Sequence, residues 1–140
     1  MSGSLNLVYP VMAQVLLTFV LILWTGQVRI KAVRRRDVRV RDIALSNDAW
    51  PEHVTKISNN MHNQFETPLL FYVLCGVATM IGATGVGMTL LAWAFVAARV
   101  VHSAIHTTTN RVAHRLYAFT VGLTILIVMW LVILIRIFGA

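Results

Sequence analysis

The sequence predicts an all-α integral membrane protein, a bundle of four transmembrane helices. Its 140 residues are 58% hydrophobic and only 12% charged, with a mean hydropathy of +0.74. That is too apolar for a soluble domain of this size. Four segments are apolar over lengths near the roughly 20 residues that cross a hydrocarbon core of about 30 Å. The excess positive charge, a net +7, gathers in alternate connections. With no internal repeat or low-complexity tract, residues 1–140 read as one domain.

The first helix is expected over about 7–34. Its lead-in "MSGSLNLVYP" has no basic residue, and the apolar stretch is longer than a signal core and lacks a small-residue cleavage pattern, so it reads as a retained anchor. A basic loop follows over about 35–50. The stretch "VRIKAVRRRDVRVRD" holds Arg29, Lys31, Arg34, Arg35, Arg36, Arg39 and Arg41, a charge that suits anionic lipid headgroups and makes the bilayer, not nucleic acid, its expected partner. Ser46, Asn47 or Asp48 can cap a helix start, and Pro51 fits a first turn. The second helix is expected over about 51–81, where the polar "NNMHNQFETP" runs into the uncharged "LLFYVLCGVATMIG". Cys75, the one cysteine, can form no internal disulfide and reads as a small hydrophobe. A tight "GATGVG" turn makes the next helix, about 86–107, an antiparallel neighbour. The last helix is expected over about 113–138. Lys56, Arg99, Arg111 and Arg115 join the first loop on one side and Arg136 stands at the other. The basic side is the expected cytoplasmic one, with both termini facing away from it.

Polar residues inside these segments fall on faces. On a continuous second helix, Lys56, Asn59, Asn60, Asn63, Glu66 and Thr67 lie within an arc of roughly 120°, with His62 and Gln64 at its flanks. An ionisable Glu66 in an apolar segment costs on the order of 3 kcal/mol, so it must face protein or water, and Arg99 is its expected counter-ion. Arg99, His102, His106 and Asn110 share a face of the third helix, and Gln14, Thr18, Thr25 and Arg29 share one on the first. Interhelical hydrogen bonding accounts for such residues singly. Three stripes converging at one depth, with Asn63, Glu66 and Arg99 among them, point to a site. His102 and His106 have a two-histidine ligand spacing, with His62, Glu66 and His114 in reach of a shell. There is no H-E-x-x-H motif and too few histidines for a di-iron site, so no metal is expected.

These residues resemble the family of membrane-associated proteins in eicosanoid and glutathione metabolism, MAPEG. The counterparts are the basic "QVRIKAVRRRDVRV", an N-x-x-E motif in "NQFE" from Asn63 to Glu66, and "ARVVHSAIHTTTNRVAHRLY" across the third and fourth helices. The resemblance covers nearly the whole chain in helix order. It implies a bacterial-type homotrimer in an inner membrane or its equivalent, with glutathione as co-substrate between subunits near the cytoplasmic face. It also implies a transferase or peroxidase acting on lipophilic electrophiles. Asn63 and Glu66 would contact the peptide part of glutathione, Arg34 or Arg35 a carboxylate, and Arg99 would support, with His102 and His106 where tyrosines often occur. Arg111 or Arg115 would hold the sulfur as thiolate. A guanidinium beside a thiol of pKa about 8.5 stabilises the nucleophilic anion.

Asn59 occupies the candidate binding position where relatives usually carry arginine. Its loss removes a charged contact worth roughly 1.5 to 3 kcal/mol. With the His102 and His106 pair, it favours a second reading: a MAPEG-fold protein without glutathione chemistry, holding a lipid or other amphiphile or serving as an accessory subunit of a membrane complex.

Overall fold

The computed structural model describes residues 2–139, with side chains from Asn6 onward. It is all-helical. In chain order α1 is Ser2–Arg34, α2 Val40–Ile43, α3 Glu52–His62, a 3-10 turn Asn63–Phe65, α4 Thr67–Met80, α5 Val86–Thr107 and α6 Val112–Phe138. The helices α1, α5 and α6 are each long and apolar enough to cross a membrane.

The segment expected as one helix over 51–81 is divided. Pro68 lies in the first turn of α4. It has no N–H to give to residue 64, and its ring collides with the carbonyl four residues back, which favours a kink or a break; α1 runs on through Pro10, whereas here the helix is interrupted. The chain answers with the 3-10 turn and then Glu66 at φ −96°, ψ −98°. At 14 residues α4 is about 21 Å long, short of the hydrocarbon thickness without the elements before it.

Packing follows the apolar pattern. The helix pairs in contact include α5 with α6, α1 with α3 and α5, and α4 with α6. Leu7, Phe71, Cys75, Met88, Phe95, Leu126 and Met129 belong to the main buried cluster, where Phe71 and Phe95 stack at 4.6 Å between centroids. Outward-facing Leu16, Leu23, Val73, Leu90 and Leu131 are exposed, as lipid contact requires and water would not tolerate over such an area.

A second cluster fastens the loop after α1. Ala32, Val38 and Val54 are buried there, with Val28, Val33, Ile43 and Trp50 against them. The Arg29 guanidinium lies 5.2 Å from the Trp50 ring centroid, a cation–π contact. Its Nε also donates to Ser58 Oγ at 3.3 Å.

Two helix ends show one motif with different residues. At the end of α4, Ala83 N–H donates to Ala78 O and Gly82 N–H to Thr79 O, with Gly82 at φ 69°. At the end of α1, Asp37 N–H donates to Ala32 O and Arg36 N–H to Val33 O, with Arg36 at φ 60°. Both are Schellman turns, whose left-handed position favours glycine. A side chain there costs roughly 1 to 2 kcal/mol.

Candidate functional site

The helix break builds the site. Arg99 Nη2 on α5 donates to the main-chain carbonyl of Asn63, the first residue of the 3-10 turn, at 3.1 Å. Arg99 is only 2% exposed, so this charge-assisted bond ties a buried guanidinium to the point where the helix is interrupted. The Asn63 side chain meets His106, with Nδ2 and Nδ1 3.3 Å apart. The His106 tautomer sets which of the two groups donates in this contact. His102 stands one turn earlier on α5, its ring edge-on to His106 at 5.7 Å.

Arg115 closes the site from α6. Its Nη1 donates to Asn110 Oδ1 at 2.8 Å. Asn110, at φ 49°, adopts the left-handed conformation that asparagine tolerates in the α5–α6 turn. Together Asn63, His102, Val112, Arg115, Leu116 and Phe119 line an open cavity of about 190 Å³. Arg99 Nε, His102 Nδ1 and Arg115 Nε are buried without a hydrogen-bond partner. Among the described residues no carboxylate makes a direct ion pair with either guanidinium: the one ion pair is Arg41 with Asp42, at 3.4 Å in the loop, while the Glu66 charge acts on Arg99 from beyond contact. The cavity lining itself carries Arg115 and no acid, and such a surface attracts an anion.

Glu66, the counter-ion expected for Arg99, makes no direct ion pair with it: the Glu66 side chain is exposed and its charge acts on the guanidinium only from beyond contact, while the direct acceptor of Arg99 is the Asn63 carbonyl. The face expected to carry Lys56, Asn59, Asn60, Asn63, Glu66 and Thr67 inward is split: Asn60 and Thr67 are buried, Lys56 and Asn63 half-buried, and Asn59 and Glu66 exposed. The inward face of α3 is Val54, Ile57, Ser58 and Asn60. Arg34 and Arg35 are exposed at the end of α1, and Arg111 is exposed just before α6. Asn63, Arg99, His102, His106 and Arg115 are thus brought together, while Asn59, Glu66, Arg34, Arg35 and Arg111 lie outside this cluster.

Gln64, placed at a flank by the helical projection, is 1% exposed and joins three elements. Gln14 Nε2 on α1 donates to its Oε1 at 3.1 Å. Its own Nε2 donates to Ser103 Oγ on α5 at 3.2 Å and to Asn60 O at 3.2 Å. The signal for it was Pro68, four residues on: the 3-10 turn advances about 120° per residue rather than 100° and carries Gln64 inward.

Among the described residues no group of three His, Cys, Asp or Glu side chains is placed to hold a metal ion. No curated protein and no solved structure matches the chain. The family model of the MAPEG family matches residues 7–135, from the first apolar turns of α1 to the last turns of α6. A match over that much of an apolar, all-helical chain places it: this is a helical membrane protein of the MAPEG family.

Proposed function

We propose that the protein is a glutathione-dependent membrane enzyme, a transferase or peroxidase acting on lipophilic electrophiles. The observation that carries this reading is Arg115 on the acid-free cavity, its Nε without a partner. Glutathione supplies a nucleophilic sulfur. Arg115 stabilises it as the thiolate, and the displaced proton leaves to water. Arg111, exposed and outside the cavity lining, is the weaker candidate for that role. Asn63, Arg99, His102 and His106 orient the bound peptide, with Arg34 or Arg35 meeting a carboxylate.

The working unit is a homotrimer with glutathione between subunits at the cytoplasmic side, and both termini face away from the cytoplasm. The outward Asn59 and Glu66 support this assembly. An exposed carboxylate on a membrane segment must face protein or water, and a neighbouring subunit covers it without changing the fold of the chain. There Glu66 attracts the glutathione amino group.

Conjugation of glutathione to an aryl halide in detergent, measured for the wild type, Arg115→Ala and Arg111→Ala, tests the assignment. Arg115→Ala is expected to lose roughly a hundredfold in rate, as when a preorganised donor is removed from a reacting anion, with Arg111→Ala little changed. Full activity in Arg115→Ala sinks it.

One observation favours a second reading, an amphiphile-binding protein without thiol chemistry. An apolar groove of about 320 Å³ between α5 and α6, lined by Val101, Ile105, Tyr117 and Val121 among others, suits a lipid chain. Absence of any glutathione binding, with lipid retained through purification, selects that reading.

A further inference from the structure

We propose that the turn and loop after α1 form a binding surface for anionic phospholipid, with Arg36 held in a strained conformation for the sake of its charge. The α1 and α4 ends share the same pair of turn hydrogen bonds, yet one uses Gly82 and the other Arg36 at the left-handed position. Glycine satisfies that geometry without strain. Arg36 thus carries a guanidinium at a position where the backbone by itself favours glycine, a strain that points to a role for its charge.

The surroundings say what that is. Lys31, Arg34, Arg35, Arg36 and Arg39 are all exposed. None of them has a carboxylate partner among the described residues, where the loop's one ion pair is Arg41 with Asp42. Five cations and one carboxylate, Asp37, within nine residues leave a net +4, and cations so crowded repel one another unless an external anion meets them. Val38 and Ile43 pack with Trp50 in the buried cluster beneath, and Arg29 is held over Trp50. The charges thus stand on an ordered platform and not on a loose tail.

Two further features choose a membrane surface over a polynucleotide. Lys31 and Arg34 lie in the last turn of a helix that is otherwise apolar enough to cross a bilayer, so they sit at headgroup depth. Val40 and the fully exposed Leu45 lie on the same loop. Apolar side chains beside a basic cluster gain from the acyl boundary of a bilayer and gain nothing from a phosphodiester backbone.

This surface shares Arg34 and Arg35 with the glutathione reading, which assigns Arg36 and Arg39 no role, so variants at those two positions let the readings fail separately. The test offers detergent-solubilised full-length protein equal amounts of dioleoylphosphatidylglycerol and dioleoylphosphatidylcholine and counts retained lipid by native mass spectrometry. The wild type is expected to retain the anionic lipid preferentially, and added salt should weaken that preference. Arg36→Gly should lower anionic-lipid affinity about fivefold, the effect of one surface cation. The same variant should raise the unfolding temperature in lipid-free detergent. Arg36→Lys should keep the preference, and Arg39→Gln, outside the strained turn, should reduce it. Equal retention of the two lipids by the wild type, or an unchanged preference in both Arg36→Gly and Arg39→Gln, overturns the proposal. So does displacement of the anionic lipid by a short DNA duplex at physiological salt.

Discussion

Arg99 on α5 donates from Nη2 to the main-chain carbonyl of Asn63 at 3.1 Å, so a nearly fully buried cation caps a helix that proline has broken. The bond joins two parts of the chain 36 residues apart. It also fixes the depth at which Asn63 meets His106.

Removing that cation should cost stability before it costs chemistry. Arg99→Met leaves the Asn63 carbonyl without its charged donor, and a hydrogen bond to a charged group contributes about 1.5 to 3 kcal/mol. Thermal unfolding in detergent should show a loss of that order. Arg99→Lys, which keeps a charge but not the planar fork, should lose less.

Gln64 ties α1 to α5 through Gln14 and Ser103. Gln64→Leu should destabilise the protein by about 1 to 2 kcal/mol, the upper part of the range for interhelical hydrogen bonds in membranes. In a double-mutant cycle, Gln14→Leu should add little once Gln64 is gone. Full additivity would show that the pair is uncoupled.

How far the sequence discloses the site can be argued from these same residues. Hydropathy is enough for the apolar helices, because lipid imposes one requirement on every lipid-facing position. The face of α5 carrying Arg99, His102 and His106 was also legible, since that helix is unbroken and its inward residues keep their spacing. The second segment was not. Projecting Asn59, Asn63, Gln64 and Glu66 on one continuous helix puts Gln64 aside and Glu66 inward, whereas the break at Pro68 reverses them. Which cation meets which acceptor was equally hidden, because the acceptor for Arg99 is a main-chain carbonyl, a group that every residue carries.

Pro68→Ala restores an N–H where the break begins and is expected to straighten the α3–α4 segment. Spin labels at exposed positions 59 and 73 should shift toward about 21 Å, the backbone rise of 14 residues in a continuous helix. Glutathione affinity should fall with it, because straightening reorients Asn63 relative to its partners Arg99 and His106. Straightening with unchanged affinity would separate the break from the binding site.

Glu66 reports on assembly. On a single chain its carboxylate is exposed beside apolar Phe65 and Leu69. If a neighbouring subunit covers it, Glu66→Leu should weaken the oligomer in sedimentation while the isolated chain keeps its helicity. An unchanged mass with raised thermal stability would mean that the carboxylate faces lipid or water and joins no interface.

The central claim is that Arg115, on a cavity lined also by Asn63 and His102 and by no acid, holds the glutathione sulfur as its anion. Titrating the detergent-purified protein with glutathione, following heat of binding together with ultraviolet thiolate absorbance, tests it most directly, with Arg115→Ala and Glu66→Gln alongside. The account predicts saturable binding with thiolate formation in the wild type, loss of the thiolate signal with binding retained in Arg115→Ala, and weakened binding in Glu66→Gln. No heat and no thiolate at millimolar glutathione would contradict it.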